Sequence, residues 1–352
     1  MKRIPLETQT LYAELMEQLT ALEAQRSIGS LRGGFVKKIV KGETYYYFQY
    51  SEPGGERKQV YIGRAGPELN RLVAKFEGEK ESFRADQQSI QRLCAQLRVG
   101  GAITATHAHV RVLQSLADAG VFRMGAVLVG THAFASMGNL LGCRWERRGL
   151  ETQDVDIAWE RDLDVAIPEL PEADLPGALE RLQMGFSPVP SFDPNSPSTS
   201  FKVRKSPLRV DVLTPAKNKR EEYRPVPVPK FRTAAQGLKY LDYLIEAPQP
   251  AAVIDSTGVL VNIPDPARYA FHKLIVAQER PVSEQVKRAK DLRQASLLFT
   301  VLGEERPGDL LQAWEALKAR GASWEQKTAR GLAAMTKLHP EAGEISALLR
   351  PG

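Results

Sequence analysis

The sequence predicts an α+β protein built from three parts. Near the N-terminus, a stretch rich in aromatic and β-branched residues lies between two helical patterns, which indicates a small antiparallel sheet followed by a long helix. Short apolar runs alternate with amphipathic segments in the middle of the chain and predict a mixed sheet with helices. From about residue 264 the pattern is helical. We therefore expect the parts to span residues 1–103, 104–250 and 251–352.

Composition is that of an ordinary water-soluble globular protein. Of the 352 residues, 43% are hydrophobic and 26% are charged. No apolar run approaches the roughly 20 residues that a membrane span needs, and the N-terminus lacks the apolar core of a signal peptide. The two cysteines, Cys94 and Cys143, are far apart and form no metal or redox motif, and the five histidines are scattered. We expect a reduced, cytoplasmic setting, with no membrane association and no zinc site.

The first part carries the aromatic and basic residues. After a helix over residues 1–28, strands are predicted at FVKKIV, TYYYFQYS and RKQVYIG, joined by turns at Lys41-Gly42-Glu43 and Pro53-Gly54-Gly55. Exposed aromatic rings beside cations suit stacking on bases and contact with phosphates. The arrangement loosely resembles the three-stranded DNA-binding arms of some recombinases. The residues predicted to contact nucleic acid are Lys37, Lys38, Tyr46 and Arg57. Alternatively, half of the aromatic residues form a core against the long helix predicted over Pro67–Val99.

The middle part begins with a helix over Thr104–Ala119 and then a strand–turn–helix–strand pattern. An apolar strand at Ala126–Val129 ends at Gly130-Thr131, and a helix follows over His132–Leu141. Glycine lets a phosphate approach the backbone, and the free N–H groups of a helix start attract anions. We therefore expect Gly130 and Thr131 to form an anion-binding turn.

The second strand of this pattern, Thr152–Ile157, carries two carboxylates. Side chains alternate along a strand, so Asp154 and Asp156 point to the same face. A third, Asp211, lies within an apolar strand at Leu208–Pro215, where an unpaired charge is costly. Carboxylate oxygens of this kind suit Mg²⁺, whose coordination is then completed by substrate phosphates. Two alternatives remain open: the D-x-D pair is an ordinary surface strand end, and Asp211 pairs with Arg209.

The other elements complete the chain. A strand is expected at Asp164–Ile167, a helix near Leu175–Met184, a Ser- and Pro-rich loop at Ser187–Ser200, a hairpin of Phe201–Arg204 with Leu208–Leu213, and an extended basic segment at Lys217–Lys230. Helices are predicted over Pro266–Glu279, Val282–Leu302, Gly308–Arg320 and Ser323–Leu338.

These motifs resemble the nucleotidyltransferase fold of the DNA polymerase β superfamily. The residues that carry the resemblance are Gly130-Thr131-His132-Ala133, Thr152-Gln153-Asp154-Val155-Asp156 and the later strand with Asp211. They are similar to those of largely uncharacterised bacterial families, although Thr131 stands where many members have a second Gly or a Ser. The segment Tyr269–Val276 resembles one in abortive-infection-type nucleotidyltransferase toxins, in which a Lys meets the nucleoside triphosphate. The matching residues here are Lys273, Arg280 and Lys290-Asp291.

The resemblance implies transfer of a nucleoside monophosphate from an NTP to an acceptor. It assigns Asp154, Asp156 and Asp211 to catalysis and to binding Mg²⁺ or Mn²⁺, and it assigns Gly130, Thr131, Lys273 and Arg280 to the nucleotide. Positive charge is concentrated locally, with eleven Lys/Arg against three Asp/Glu over residues 198–240, which favours RNA, such as a tRNA end, as the acceptor. A toxin that blocks translation is one version of this function. A non-catalytic nucleic-acid-binding module and modification of a protein or small molecule stay open as alternatives.

Overall fold

A computed structural model describes residues 1–25, 31, 33–51, 57–146, 150, 152–161, 173–190 and 197–340. Its helices are α1 (Leu6–Ala24), α2 (Pro67–Val99), α3 (His107–Asp118), α4 (Gly130–Leu140), α5 (Leu175–Glu180), α6 (Leu241–Ile245), α7 (Pro266–Glu279), α8 (Gln285–Glu305), α9 (Pro307–Lys318) and α10 (Ala322–Leu338). Its strands are β1 (Lys2–Arg3), β2 (Gly34–Val40), β3 (Glu43–Ser51), β4 (Arg57–Arg64), β5 (Val127–Val129), β6 (Cys143–Arg144), β7 (Asp154–Ala158), β8 (Phe186–Pro188), β9 (Ser200–Val203), β10 (Arg209–Pro215), β11 (Pro225–Val228), β12 (Thr233–Leu238), β13 (Pro248–Ile254) and β14 (Gly258–Pro264).

A mixed sheet organises the middle of the chain. Its main order is β11-β12-β10-β7-β5, and β9, which pairs with β8, joins the first half of β10. Strands β7, β10 and β12 are parallel, whereas β5 and β11 run antiparallel to their neighbours. This mixed sheet with helices confirms the α+β fold that the sequence predicts.

The N-terminal part is a three-stranded antiparallel sheet packed on α2. Phe76 of α2 is buried and lies 5.1 Å, between ring centroids, from Phe35 of β2 and 5.7 Å from Phe48 of β3. The far end of α2 packs on α1 and on the β13–β14 hairpin, in a core cluster with Leu15, Leu93 and others. One continuous helix therefore joins the small sheet to the rest of the molecule.

The C-terminal helices share a core with the mixed sheet. One cluster of buried residues extends from Ile103 to Met335 and includes residues of β5, β7, β10, α7 and α8. Gly331 of α10 packs so closely on Leu274 of α7 that a side chain at that position would collide with it. The boundaries proposed at residues 103 and 250 remain predictions.

The structure corrects some expectations from the sequence, and others concern residues that it does not describe. The segment 217–230 is expected from the sequence to be extended, but it is extended only at β11. Before β11, Glu221 forms a salt bridge with Arg161 (Nη2 to Oε2, 2.7 Å). The β13–β14 hairpin, which the sequence reading did not include, begins just before residue 251. The strand expected at 164–167 lies outside the described residues. Among the described helices, none combines the length and the apolar character that crossing a bilayer requires.

Candidate active site

The strand register brings the three aspartates together. In the parallel pairing of β7 with β10, Asp156 lies directly opposite Asp211, and Asp154 lies opposite Arg209. Val155 and Ile157 point to the other face of β7, where both are fully buried. This alternation explains why the strand presents carboxylates on one face only, since its other face forms the core of the sheet.

The carboxylates disfavour one another's ionised forms. Burial, followed by the charges of Asp211 and Asp154, raises the pKa of Asp156 to about 7. Burial and the charge of Asp211 also raise the pKa of Asp154. A site that makes ionisation of its own acids unfavourable is one that a cation stabilises.

Arg209 partly supplies such a cation. Its Nε atom donates to Asp211 Oδ1 at 2.7 Å and to Ser200 Oγ at 2.6 Å. The pairing that the sequence left open as an alternative to metal binding is therefore present. Asp211 is at once ion-paired to Arg209 and close enough to Asp156 to raise its pKa.

The donor set fits a hard divalent cation. Three carboxylates without sulfur or imidazole are typical of Mg²⁺ and Mn²⁺ sites. A bound cation would also relieve the unfavourable ionisation of Asp156. Within the described residues, however, no group of three or more acidic, histidine or cysteine side chains is already arranged to coordinate a metal. Asp211 would have to share or release its bond with Arg209 to do so.

Gly130 fits against the carboxylates and begins α4. Its φ of +67° is in the left-handed region, and a Cβ atom at this position would collide with the Asp156 carboxylate. Strand β5 places it there, because Val129 pairs with Asp156. Only glycine satisfies both the dihedral angle and the close approach. The helix start that the sequence predicts to bind anions therefore lies directly beside Asp156.

Helices α7 and α8 reach the same turn. The Tyr269 hydroxyl donates to the Gly130 carbonyl oxygen at 2.9 Å and lies 3.2 Å from Gln294 Oε1. Lys290 Nζ donates to Thr131 Oγ1 at 3.1 Å. The Gly130 carbonyl is thus held by a tyrosine hydroxyl, and a lysine contacts Thr131, the second residue of α4.

The two cations predicted to meet the nucleotide are engaged with Asp291. Lys273 Nζ donates to Asp291 Oδ1 at 2.6 Å, and Arg280 Nε donates to Oδ2 at 3.1 Å. Burial opposes the charge of Lys273, yet the Asp291 carboxylate holds the lysine's pKa above its ordinary value. The charge of Lys273 partly opposes the rise in the pKa of Asp156, because the lysine lies near the carboxylates. Arg280 directly follows the last residue of α7 and pairs with Glu284.

The predicted nucleic-acid contacts lie on the small N-terminal sheet. Lys37, Lys38 and Arg57 are exposed, but Lys37 pairs across the strands with Tyr46 and lies on the same side of the sheet as that residue, opposite to Lys38. Tyr46 is only 4% exposed, because its side of the sheet packs on α2. The structure therefore does not support base stacking by Tyr46. Strict alternation along β3 instead turns Tyr45 and Tyr47 outward.

Sequence reasoning missed the roles of several side chains around the turn. In the sequence Tyr269 is only part of a motif, and the signal for its role is its position four residues before Lys273, on the same face of α7. Lys290 matches a motif, but the sequence assigns it no role. Arg209 was considered as a partner of Asp211, and its two-residue spacing was the signal for that contact.

A comparison with protein families gives one match. Residues 107–318, which are more than half of the chain, match the family model described as nucleotidyltransferase. The matched segment contains the three aspartates, the Gly130 turn, α7 and α8. A search of curated proteins and a search of solved structures found no match.

Proposed function

Because the chain belongs to the nucleotidyltransferase family that it matches over residues 107–318, we propose that it transfers a nucleoside monophosphate from an NTP to an RNA acceptor. One observation carries the proposal. Asp156 lies opposite Asp211 and on the same face as Asp154, directly against the glycine that begins α4. Carboxylates beside a helix start are what metal-assisted phosphoryl transfer requires, since one binds cations and the other binds phosphates.

Asp154, Asp156 and Asp211 would hold two Mg²⁺ or Mn²⁺ ions. When bound, such ions stabilise charge on the attacking and leaving oxygens of an in-line displacement. An acceptor hydroxyl oxygen forms the new bond to the α-phosphorus, and the bond from that phosphorus to the pyrophosphate oxygen breaks. Asp211 would accept the hydroxyl proton, and Arg209 keeps that carboxylate in place until substrate arrives.

The nucleotide's β- and γ-phosphates would lie on the Gly130–Thr131 turn. The free N–H groups at the start of α4 supply donors there. Lys290 stands at Thr131 and would bind a phosphate oxygen directly. Lys273 and Arg280 act as supporting cations, and through Asp291 they also fix the turn of α8 that carries Lys290.

RNA is the acceptor that the distribution of charge favours. The segment from residue 198 to residue 240 carries eleven Lys/Arg against three Asp/Glu, and it includes the strand with Asp211. A segment with this excess of positive charge attracts a polyanion.

A labelling experiment tests the proposal. The protein is incubated with total RNA and each α-³²P-labelled NTP, with Mg²⁺ or Mn²⁺, and the products are separated into RNA, protein and small solutes. We expect label on RNA from the unchanged protein and none from Asp156→Asn. Asp86→Asn, an exposed aspartate on α2, serves as the matched control and should retain full transfer.

Each other result has a definite meaning. Label on protein or on a small solute would support nucleotide transfer but would identify an acceptor other than RNA. Salt-sensitive RNA binding without label would favour a non-catalytic binding module. Equal labelling by Asp156→Asn and the unchanged protein would refute the metal assignment.

A further inference from the structure

The small N-terminal sheet has two different faces. We call β2, β3 and β4 together with the first half of α2 the N-terminal arm. One face of its sheet packs on α2 through Phe35, Phe48 and the buried Tyr46. Alternation places every second residue of β3 on the opposite face, together with Lys38 and Arg57, which are both exposed.

The face of the sheet that points away from α2 carries a cluster of tyrosines. The register aligns Tyr47 with Tyr61, and Tyr45 lies two residues before Tyr47 on the same side of β3. Ring centroids are 5.5 Å apart for Tyr47 and Tyr61, and 6.3 Å apart for Tyr45 and Tyr61. The side chain of Tyr61 is 54% exposed. The Tyr61 ring thus contacts both of the others, and the three form an aromatic surface of a kind on which bases stack regardless of their identity.

Cations surround these rings. Lys38 pairs across the strands with Tyr45, and its Nζ atom lies 4.4 Å from the centroid of the Tyr47 ring. Arg57 and Arg64 lie on the same face at opposite ends of β4. Among the described residues of this face, Glu43 is the only carboxylate, and it pairs with Arg64 (Oε1 to Nη2). The charge of the face is therefore positive and complements a phosphate backbone.

The arm extends away from the core that the other end of α2 joins. Phe76 marks where α2 supports the sheet, and Leu93 marks where the same helix enters the core of the rest of the molecule. At about 1.5 Å per helical residue, this separation along the helix is roughly 25 Å. The arm also lies outside residues 107–318, so it is an addition to the segment that matches the family.

We infer that the outward face of the arm binds a single-stranded segment of the RNA acceptor, with bases on Tyr45, Tyr47 and Tyr61 and phosphates on Lys38 and Arg57. The choice of RNA rests on the proposed function. The binding of a single strand rests on the arm alone. Stacking on exposed rings favours unpaired bases, because the bases of a duplex are already stacked on one another.

Binding is measured by fluorescence anisotropy with the full chain, in EDTA and without NTP, so that no transfer occurs. The probes are fluorescein-labelled 12-nucleotide RNA, DNA of the same sequence, and the RNA annealed to its complement. We expect the single strands to bind more tightly than the duplex. Tyr61→Ala should weaken binding roughly tenfold, whereas Tyr61→Phe, which keeps the ring, should bind like the unchanged protein.

Two neighbouring lysines give a matched pair for the charge. Lys38→Ala and Lys37→Ala remove the same charge from adjacent positions of β2 that point to opposite faces. Lys38→Ala should reduce the slope of log affinity against log salt by about 0.7, as loss of one phosphate contact does for a single strand. Lys37→Ala should leave the slope unchanged.

The inference fails if the single-stranded probes do not bind, if Tyr61→Ala binds as well as the unchanged protein, or if the duplex binds equally well. A change of oligomeric state in Tyr61→Ala, without loss of RNA binding, would assign the face to a protein contact instead. DNA bound more tightly than RNA would overturn the choice of acceptor. Because these measurements need neither metal nor NTP, they are independent of whether nucleotide transfer is found.

Discussion

Replacing Asp156 with Asn should stabilise the metal-free protein while abolishing nucleotide transfer. The pKa of Asp156 is raised from 3.8 to about 7, first by burial and then by the charges of Asp211 and Asp154. Each unit of pKa corresponds to about 1.4 kcal/mol, so the ionised carboxylate costs on the order of 4 kcal/mol at pH 8. Asn still buries a polar amide, and solvent reaches part of the side chain. We therefore expect a net gain of about 2 kcal/mol.

The pH dependence of the gain has a definite sign. The folded pKa of Asp156 lies above the unfolded one, so the folded protein holds an extra proton between pH 3.8 and about pH 7. As pH rises through this window, the unchanged protein loses stability relative to the Asn variant. The difference should be absent below the window and largest above it. Titrating groups that do not interact with Asp156 are common to both proteins and cancel in the difference. The repulsion from Asp154 and Asp211 is lost in the variant, and it is already counted in the raised pKa of Asp156.

Thermal unfolding in EDTA measures this effect. We expect the midpoint of Asp156→Asn to exceed that of the unchanged protein by about 3 °C at pH 8 and by much less at pH 5. Added Mn²⁺ should raise the midpoint of the unchanged protein and leave that of the variant nearly constant. Asp86→Asn provides the control for loss of a surface charge. A variant no more stable than the unchanged protein in EDTA at pH 8 would refute the argument that the carboxylates repel one another.

Three further predictions concern the turn and its surroundings. Gly130→Ala should abolish transfer and lower the free energy of unfolding, because the added Cβ collides with the Asp156 carboxylate. Gly78→Ala adds a Cβ in open space on α2, so this control should keep full activity, and its free energy of unfolding in urea should rise by about 1 kcal/mol. Tyr269→Phe removes the hydroxyl that holds the Gly130 carbonyl and should slow single-turnover transfer roughly tenfold with the fold intact, so an unchanged rate would contradict its positioning role. Burial lowers the pKa of His132 from 6.5 to about 3, so the folded protein resists a proton that the unfolded chain accepts, and His132 contributes a loss of about 2 kcal/mol of stability between pH 6.5 and pH 5. Protonation of Asp156 opposes this loss in both proteins, so the test is the difference: on going from pH 6.5 to pH 5 in urea titrations, His132→Gln should gain about 2 kcal/mol relative to the unchanged protein, and an equal change in both would contradict the assignment.

The local elements of the site could be predicted from the sequence because their signals are local. The apolar strand, the glycine turn and the helix after it occupy adjacent residues, and the period of two along β7 places both of its aspartates on one face. The same period along β3 predicts that Tyr46 and Tyr47 face opposite sides. It does not tell which side packs on α2, and only the contact of Phe76 with that sheet decides this.

Contacts between distant segments could not be predicted in this way. Nothing in the sequence fixes the register that sets Asp211 opposite Asp156, because parallel strands are joined by long connections of variable length. The motif containing Lys273 and Arg280 indicated phosphate contacts, yet both side chains bond to Asp291 of the next helix. Charge alone does not distinguish a cation that awaits a ligand from one that already has a carboxylate partner.

The proposed nucleotide site therefore depends on residues from both sides of the boundary predicted at residue 250. Tyr269 and Lys290 contact Gly130 and Thr131 across 139 and 159 residues of sequence. The buried cluster that includes β5 and β7 also includes α7 and α8, and the family match extends over all four elements. A fragment ending at residue 250 would keep the three aspartates but would lose Tyr269 and Lys290, whose side chains contact the Gly130–Thr131 turn. In the proposed function the carboxylates would determine where metal ions bind, whereas the C-terminal helices would determine whether a triphosphate can lie beside them.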